Sequence, residues 1–144
     1  MKKRKSKTAG QIKRDLWQIF SLYIRTRDAL KTTGTLDWVL CFTCDRKYPT
    51  AGSSAMQAGH FIAGRHNAIL FDERNCAAQC YGCNVGKKGN MVEYFIKMQR
   101  VYGDEVIEEL RNLDKQNKQF KRHELEALKE HFSQKLSALN EQKK

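Results

Sequence analysis

Two cysteine pairs at C-x-x-C spacing, Cys41/Cys44 and Cys80/Cys83, offer four thiolates in a chain of 144 residues. Each pair makes a tight turn that aims two sulfurs at one point, and two such turns complete a tetrahedron around Zn²⁺. A shell closed by four thiolates has no open position, so this zinc would be structural. It would tie two distant segments together and aim whatever lies between them. An iron–sulfur cluster draws on the same ligands and is the alternative. The fifth cysteine, Cys76, reads as a small buried hydrophobe.

Between and beside the pairs stand residues suited to phosphate chemistry. His60 is the candidate general base. A histidine on a strand is commonly a satisfied core residue, but this one follows Gly59, which removes a side chain and admits a close approach. Asn84, directly after the last cysteine, offers an oxygen to Mg²⁺ or another hard divalent ion, and its alternative role is a helix N-cap. Asn75 would hold His60 or a loop backbone by hydrogen bonding, or simply form a turn. Lys87 and Lys88, expected just inside a helix start, would meet a phosphate together with backbone N–H groups and the helix dipole. Assembled, these parts describe a metal-dependent phosphodiesterase in which neutral His60 deprotonates water and one ion, Mg²⁺ or Mn²⁺, stabilises the charge on the phosphate.

Elements that could position these groups follow from the hydrophobic pattern. Ile12, Leu16, Ile19, Phe20, Tyr23 and Ile24 predict a helix from about Gln11 to Leu30, stopped near Gly34. Trp38-Val39-Leu40 reads as a short strand into the first knuckle, with Asp45-Arg46-Lys47 as its turn. Residues 55–62 read as the strand that carries His60. A helix is expected to start near Asn84 and to continue past a break at Gly89-Asn90 as far as Gly103. Asp104 is the expected N-cap of the next helix, to about Leu113. The last helix, Lys121 to Leu139, carries Leu125, Leu128, Phe132, Leu136 and Leu139 as a narrow seam for the parent domain or for a second copy.

The net charge of +11 is unevenly spread: residues 1–36 hold ten Lys/Arg against two acids, whereas residues 91–144 hold eleven against ten. A basic front end on a balanced chain reads as a polyanion-binding arm, with a merely solubilising tail as the alternative. The arm, residues 1–10, contributes Lys2, Lys3, Arg4, Lys5 and Lys7 as DNA-binding candidates. No apolar run is long enough to span a bilayer, and the basic start lacks an apolar continuation, so neither a membrane partner nor secretion is expected. The expected setting is a reducing cytoplasm, where clustered cysteines bind metal.

The order C-x-x-C, G-H, F-x-E-R-N, Q-C-x-x-C-N and K-x-G-N resembles the NinG/Rap family of lambdoid phage recombination nucleases. It stands here as Cys41/Cys44, Gly59-His60, Phe71 to Asn75, Gln79 to Asn84 and Lys88-Gly89-Asn90. More broadly the chain is similar to zinc-stapled HNH (ββα-metal) nucleases such as phage endonuclease VII. The resemblance implies an α+β fold: an HNH-like, zinc-stapled core over residues 37–100 within one domain, 11–144, flanked by an N-terminal helix and by C-terminal helices at 104–140. It implies a site of His60, Asn75 and Asn84, with Arg74 beside Lys87 and Lys88 on DNA. It also implies cleavage of Holliday junctions and D-loops in the host cytoplasm, as a homodimer, beside a phage recombinase. Many HNH sites place a metal-binding Asp before the base, and this chain has Gly59 there. Asn84 is then the main protein ligand, with Glu73 or Asp72 as the candidate second carboxylate. An HNH nuclease acting on ordinary duplex and a non-catalytic zinc-containing DNA-binding protein remain the competing readings.

Overall fold

A computed structural model describes residues 5–142. Helix α1, Ala9–Thr33, starts on a capping box: the Gln11 N–H donates to the Thr8 hydroxyl at 3.2 Å, and the Thr8 N–H donates to the Gln11 side chain at 2.9 Å. Gly34 closes it in the left-handed region at φ 70°, where a side chain would be strained. The helix runs beyond the sequence expectation at both ends because these caps satisfy its terminal backbone groups. Its apolar stripe is buried as expected, with Ile19 only partly covered.

Strands β1, Trp38–Leu40, and β2, Lys47–Pro49, pair antiparallel across the first knuckle. Strands β3, Gln57–His60, and β4, Cys76–Gln79, form a second antiparallel pair that sets His60 opposite Cys76 and Gly59 opposite Ala77. The sequence pattern indicated neither β2 nor β4. The former is a three-residue edge strand. The latter is buried along its whole length and so lacks the alternation that marks a half-exposed strand. A short helix α2, Asn67–Leu70, and a 3₁₀ turn, Glu73–Asn75, connect β3 to β4.

After the second knuckle the chain makes one π-helical turn, Gly82–Gly86, and then breaks. Lys88, Gly89 and Asn90 all have positive φ, and α3 begins only at Met91 and runs to Val101. The break expected at Gly89-Asn90 is present, and the part that precedes it is a single π-helical turn in place of the expected α-helix start. Helix α4 spans Asp104–Asp114 with Gly103 in the cap position. Asp104 lies inside the helix and accepts a hydrogen bond from Gln99 at 3.0 Å, so it is not the N-cap. Helix α5, Arg122–Glu141, lies along α1. Its seam of Leu125, Leu128, Phe132, Leu136 and Leu139 packs on the α1 stripe within the chain. Among the described residues no helix is long and apolar enough to cross a membrane.

The molecule is thus mixed α+β, two small sheets among helices, with β4 at the centre of three apolar clusters. Cys76 packs in the α1–α5 cluster, Ala78 in the cysteine cluster and Ala77 in the α3–α4 cluster. A half-hidden ion pair pins α1 to that strand. Arg27 meets Asp28 at 2.9 Å and donates to the carbonyls of Glu73 and Cys76, while Asp28 accepts the Ala78 N–H at 2.8 Å. Removing one member of such a pair leaves the other uncompensated and costs about 3–5 kcal/mol when buried. Asp28→Ala is expected to lose about 3 kcal/mol in urea unfolding. A change below about 0.5 kcal/mol, the size of an ordinary surface substitution, would show that the pair does not hold β4.

Candidate metal centre and phosphodiester site

The sulfurs of Cys41, Cys44, Cys80 and Cys83 all lie within 4.8 Å of one another, an arrangement that can hold a metal ion such as zinc. The two knuckles are locked together by backbone as well as by sulfur. The Cys80 N–H donates to Cys41 Sγ at 3.3 Å, the Cys83 N–H to Cys80 Sγ at 3.4 Å, and Asn90 Nδ2 to Cys83 Sγ at 3.6 Å. Burial raises the Cys41 thiol, yet hydrogen bonds from the Cys80 N–H and from Thr43 outweigh it and bring the group down to about 7. For Cys44 burial, joined by the neighbouring sulfurs, wins and drives the thiol up to about 12. Four thiolates crowded this closely need a cation, and a thiophilic divalent ion supplies it. Cys76 stands apart from them, buried in β4 with its thiol likewise pushed up to about 12 by burial.

The structure brings His60 and Asn84 to one cavity of about 630 Å³, together with Trp17, Gln57, Arg65 and Lys88. His60 Nε2 lies 3.1 Å from the Leu70 carbonyl oxygen. A carbonyl only accepts, so Nε2 carries the proton and Nδ1 is the basic nitrogen. The ring also stacks on Trp17 with centroids 5.2 Å apart. Burial lowers the His60 pKa below its ordinary 6.5, the Leu70 bond opposes this, and the charge of Arg65 adds to the lowering. Asn84 sits within the π-helical turn and is not an N-cap. Its Nδ2 donates to Gln57 Oε1 at 2.8 Å, which fixes the amide and turns Oδ1 toward Gly59.

Asn75 is fully buried, and of its two expected partners it takes the loop. Its Oδ1 accepts the Ile62 N–H at 2.9 Å and its Nδ2 donates to the Ile62 carbonyl at 3.3 Å. It therefore anchors the chain just past His60 without touching the ring. Other expected residues are not brought to the cavity. Glu73 receives the Tyr23 hydroxyl and the Lys135 ammonium between α1 and α5 and does not line the cavity beside Asn84. Asp72 is held by Arg74 in two bonds, at 3.1 and 2.9 Å. Arg74 is further paired with Glu109 at 2.6 Å and does not line the cavity.

Lys87 and Lys88 follow the single turn and lie outside any helix start, so no dipole backs them. Lys88 still lines the cavity, whereas Lys87 is exposed elsewhere. Lys5 is exposed and Lys7 is paired with Asp15; Lys2, Lys3 and Arg4 lie outside the described residues. Sequence reasoning passed over Arg65, whose guanidinium carbon sits 4.4 Å over the Trp17 ring at the cavity wall. Its signal was a basic residue in the Gly-containing turn that follows the His60 strand.

A family model described as Bacteriophage Lambda NinG protein matches residues 1–142. Curated relatives named Protein ninG include those of Escherichia phage 933W, Salmonella phage P22 and Escherichia phage lambda. The first is 31% identical over 100 residues, 69% of this chain and 47% of the relative. The second is 30% identical over 102 residues, covering 70% and 48%, and the third 30% over 100, covering 69% and 47%. The chain thus spans about half the length of the curated relatives it matches. No solved structure matches it.

For small structural zinc sites the binding free energy, about 10–16 kcal/mol, is also folding free energy. One zinc per chain is therefore expected, and chelation should abolish the cooperative thermal transition. Because thiols must lose protons to bind, zinc should be lost more readily as pH falls from 7 to 5. A metal-free protein with an unchanged transition would refute a structural metal here.

Proposed function

The chain belongs to the NinG family of lambdoid phage proteins, and from that premise we propose that it is a metal-dependent DNA endonuclease that cuts branched recombination intermediates. The observation that carries this reading is the pairing, in one basic cavity, of an oriented neutral histidine with an amide oxygen suited to a hard cation. An antiparallel β3–β4 pair followed by the helical Gly82–Gly86 turn, with the cysteine cluster beside it, supports reading this core as ββα-metal-like.

Each residue then has a task. Leu70 holds the Nε2 proton, so Nδ1 can take a proton from water as the water oxygen bonds to phosphorus and the bond to the 3′-oxygen breaks. Trp17 holds the ring by stacking, and Asn75 anchors the backbone behind it. Arg65 and Lys88 offer charge to the phosphate. Asn84 would hold Mg²⁺ or Mn²⁺, which when bound stabilises negative charge on the phosphoryl and leaving oxygens. The net charge of +11 suits a polyanion. A junction substrate implies two cuts and hence two copies of the chain.

A labelled four-way junction and a matched linear duplex, each incubated with Mg²⁺, test the proposal. Junction cutting by the wild type should fall at least about 100-fold in His60→Ala, the usual worth of a positioned base. Equal cutting of both substrates would favour a general duplex nuclease, and binding without cutting in Mg²⁺ and Mn²⁺ would favour a non-catalytic DNA-binding protein. Neutral His60 is the active form, so activity should rise with pH through a midpoint below 6.5. Removing the Arg65 cation relieves repulsion of the imidazolium, so Arg65→Met should move that midpoint upward; a shift downward would contradict the assignment of His60 as base.

A further inference from the structure

Position 59 has no side chain, and its surroundings explain why. A Cβ built on Gly59 would stand 1.9 Å from Gln79 Oε1 and 3.1 Å from Asn84 Oδ1. Two amide oxygens from separate segments therefore converge beside the histidine. Gln79 cannot yield to a side chain at that point without loss, because its Nε2 donates to Thr43 Oγ1 at 3.1 Å and to the Gly89 carbonyl at 2.9 Å. Thr43 belongs to the first knuckle and Gly89 follows the second, so both halves of the cysteine cluster hold the amide. Those bonds also decide which end of the amide faces Gly59: reversing it would set Oε1 against a carbonyl oxygen.

The residue is fully buried, yet Oε1 has no hydrogen-bond partner among the described residues. Buried amide oxygens are nearly always satisfied, by protein, water or an ion. Among the described residues no Asp or Glu lines the cavity, and both Glu73 and Asp72 are engaged elsewhere. Asn84 alone is a sparse shell for a hard cation, whereas two fixed oxygens plus waters and a substrate phosphate form a usual one.

We propose that Gln79 Oε1 is a protein ligand of the divalent cation together with Asn84 Oδ1. This rests on the metal-dependent reading of the site. It makes Gly59 a spacer, left bare so that an oxygen carried by the neighbouring strand reaches the place where a side chain at 59 would project. With neutral ligands only, the ion is held weakly by the protein and more firmly once a phosphate joins it.

Mn²⁺ binding to the zinc-loaded protein, read from the electron paramagnetic resonance signal of free Mn²⁺ without DNA, tests this independently of catalysis. Gln79→Met keeps the side-chain bulk and should weaken Mn²⁺ at least about tenfold, as should Asn84→Ala. Gly59→Asp should also lose Mn²⁺, because its Cβ meets Gln79. The double variant Gly59→Asp/Gln79→Ala opens that space, supplies a carboxylate and should bind at least as tightly as wild type. Zinc content and the thermal transition report the fold, and if Gln79→Met loses either, the double variant decides. Unchanged affinity in Gln79→Met, or a folded double variant that fails to recover Mn²⁺, overturns the assignment. A wild type that binds no Mn²⁺ at all would instead overturn the metal-dependent reading on which it rests.

Discussion

Four sulfurs within 4.8 Å of one another constrain nearly everything else in this molecule. They come from two turns separated by 36 residues, so whatever closes them closes the loop that contains β3, α2 and β4. That closure fixes where β4 ends and hence where the turn carrying Asn84 begins. It also brings Thr43 of the first knuckle and Gly89 beyond the second to the same glutamine. The apolar core alone is divided into three modest clusters, and β4, a four-residue strand, contributes a residue to each. A chain of this size gains from a metal staple because its core buries a limited fraction of its surface.

Around that closure the charged residues divide into two groups. Arg27, Arg74 and Lys135 are engaged by carboxylates, and Arg25 donates to the Ser21 and Thr50 carbonyls. These cations hold segments together. Among the described residues Arg65 and Lys88 have no carboxylate partner, and both line the cavity. The distinction matters for function because an unpaired cation attracts phosphate, whereas a paired one is already neutralised. The net charge therefore overstates the positive field at any one place, and the cavity's share of it comes from Arg25 of α1 together with Arg65 and Lys88.

His60 illustrates how a histidine at a strand end gains a defined tautomer. Leu70 belongs to α2, ten residues along the chain, and Trp17 comes from α1. The imidazole is thus fixed by groups that its own strand does not supply. Asn75, at the end of the same connection, ties the backbone at Ile62 and keeps β3 in register with β4. The histidine, its orienting carbonyl and its anchor all lie within the segment that the sulfurs close.

The spacing of the cysteines, the helical stripes of α1 and α5 and the strand bearing His60 were legible in the sequence, because each depends on local period or on residue type at fixed offset. So was the position of Asn84, which directly follows a knuckle whose geometry it inherits and lines the cavity with His60. Not legible were the partners of long polar side chains. Glu73 and Arg74 stand in a motif beside the site, yet a 3₁₀ turn points them at Tyr23, Lys135, Asp72 and Glu109. Arg65 and Gln79, unremarkable in sequence, arrive at the cavity and beside Gly59 through packing across strands and knuckles. Residue type and spacing determined by themselves which four sulfurs can share a metal and which helices carry an apolar stripe. Only the tertiary structure decided which carboxylates and cations neutralise one another, because a flexible side chain's partner is set by contacts from distant parts of the chain.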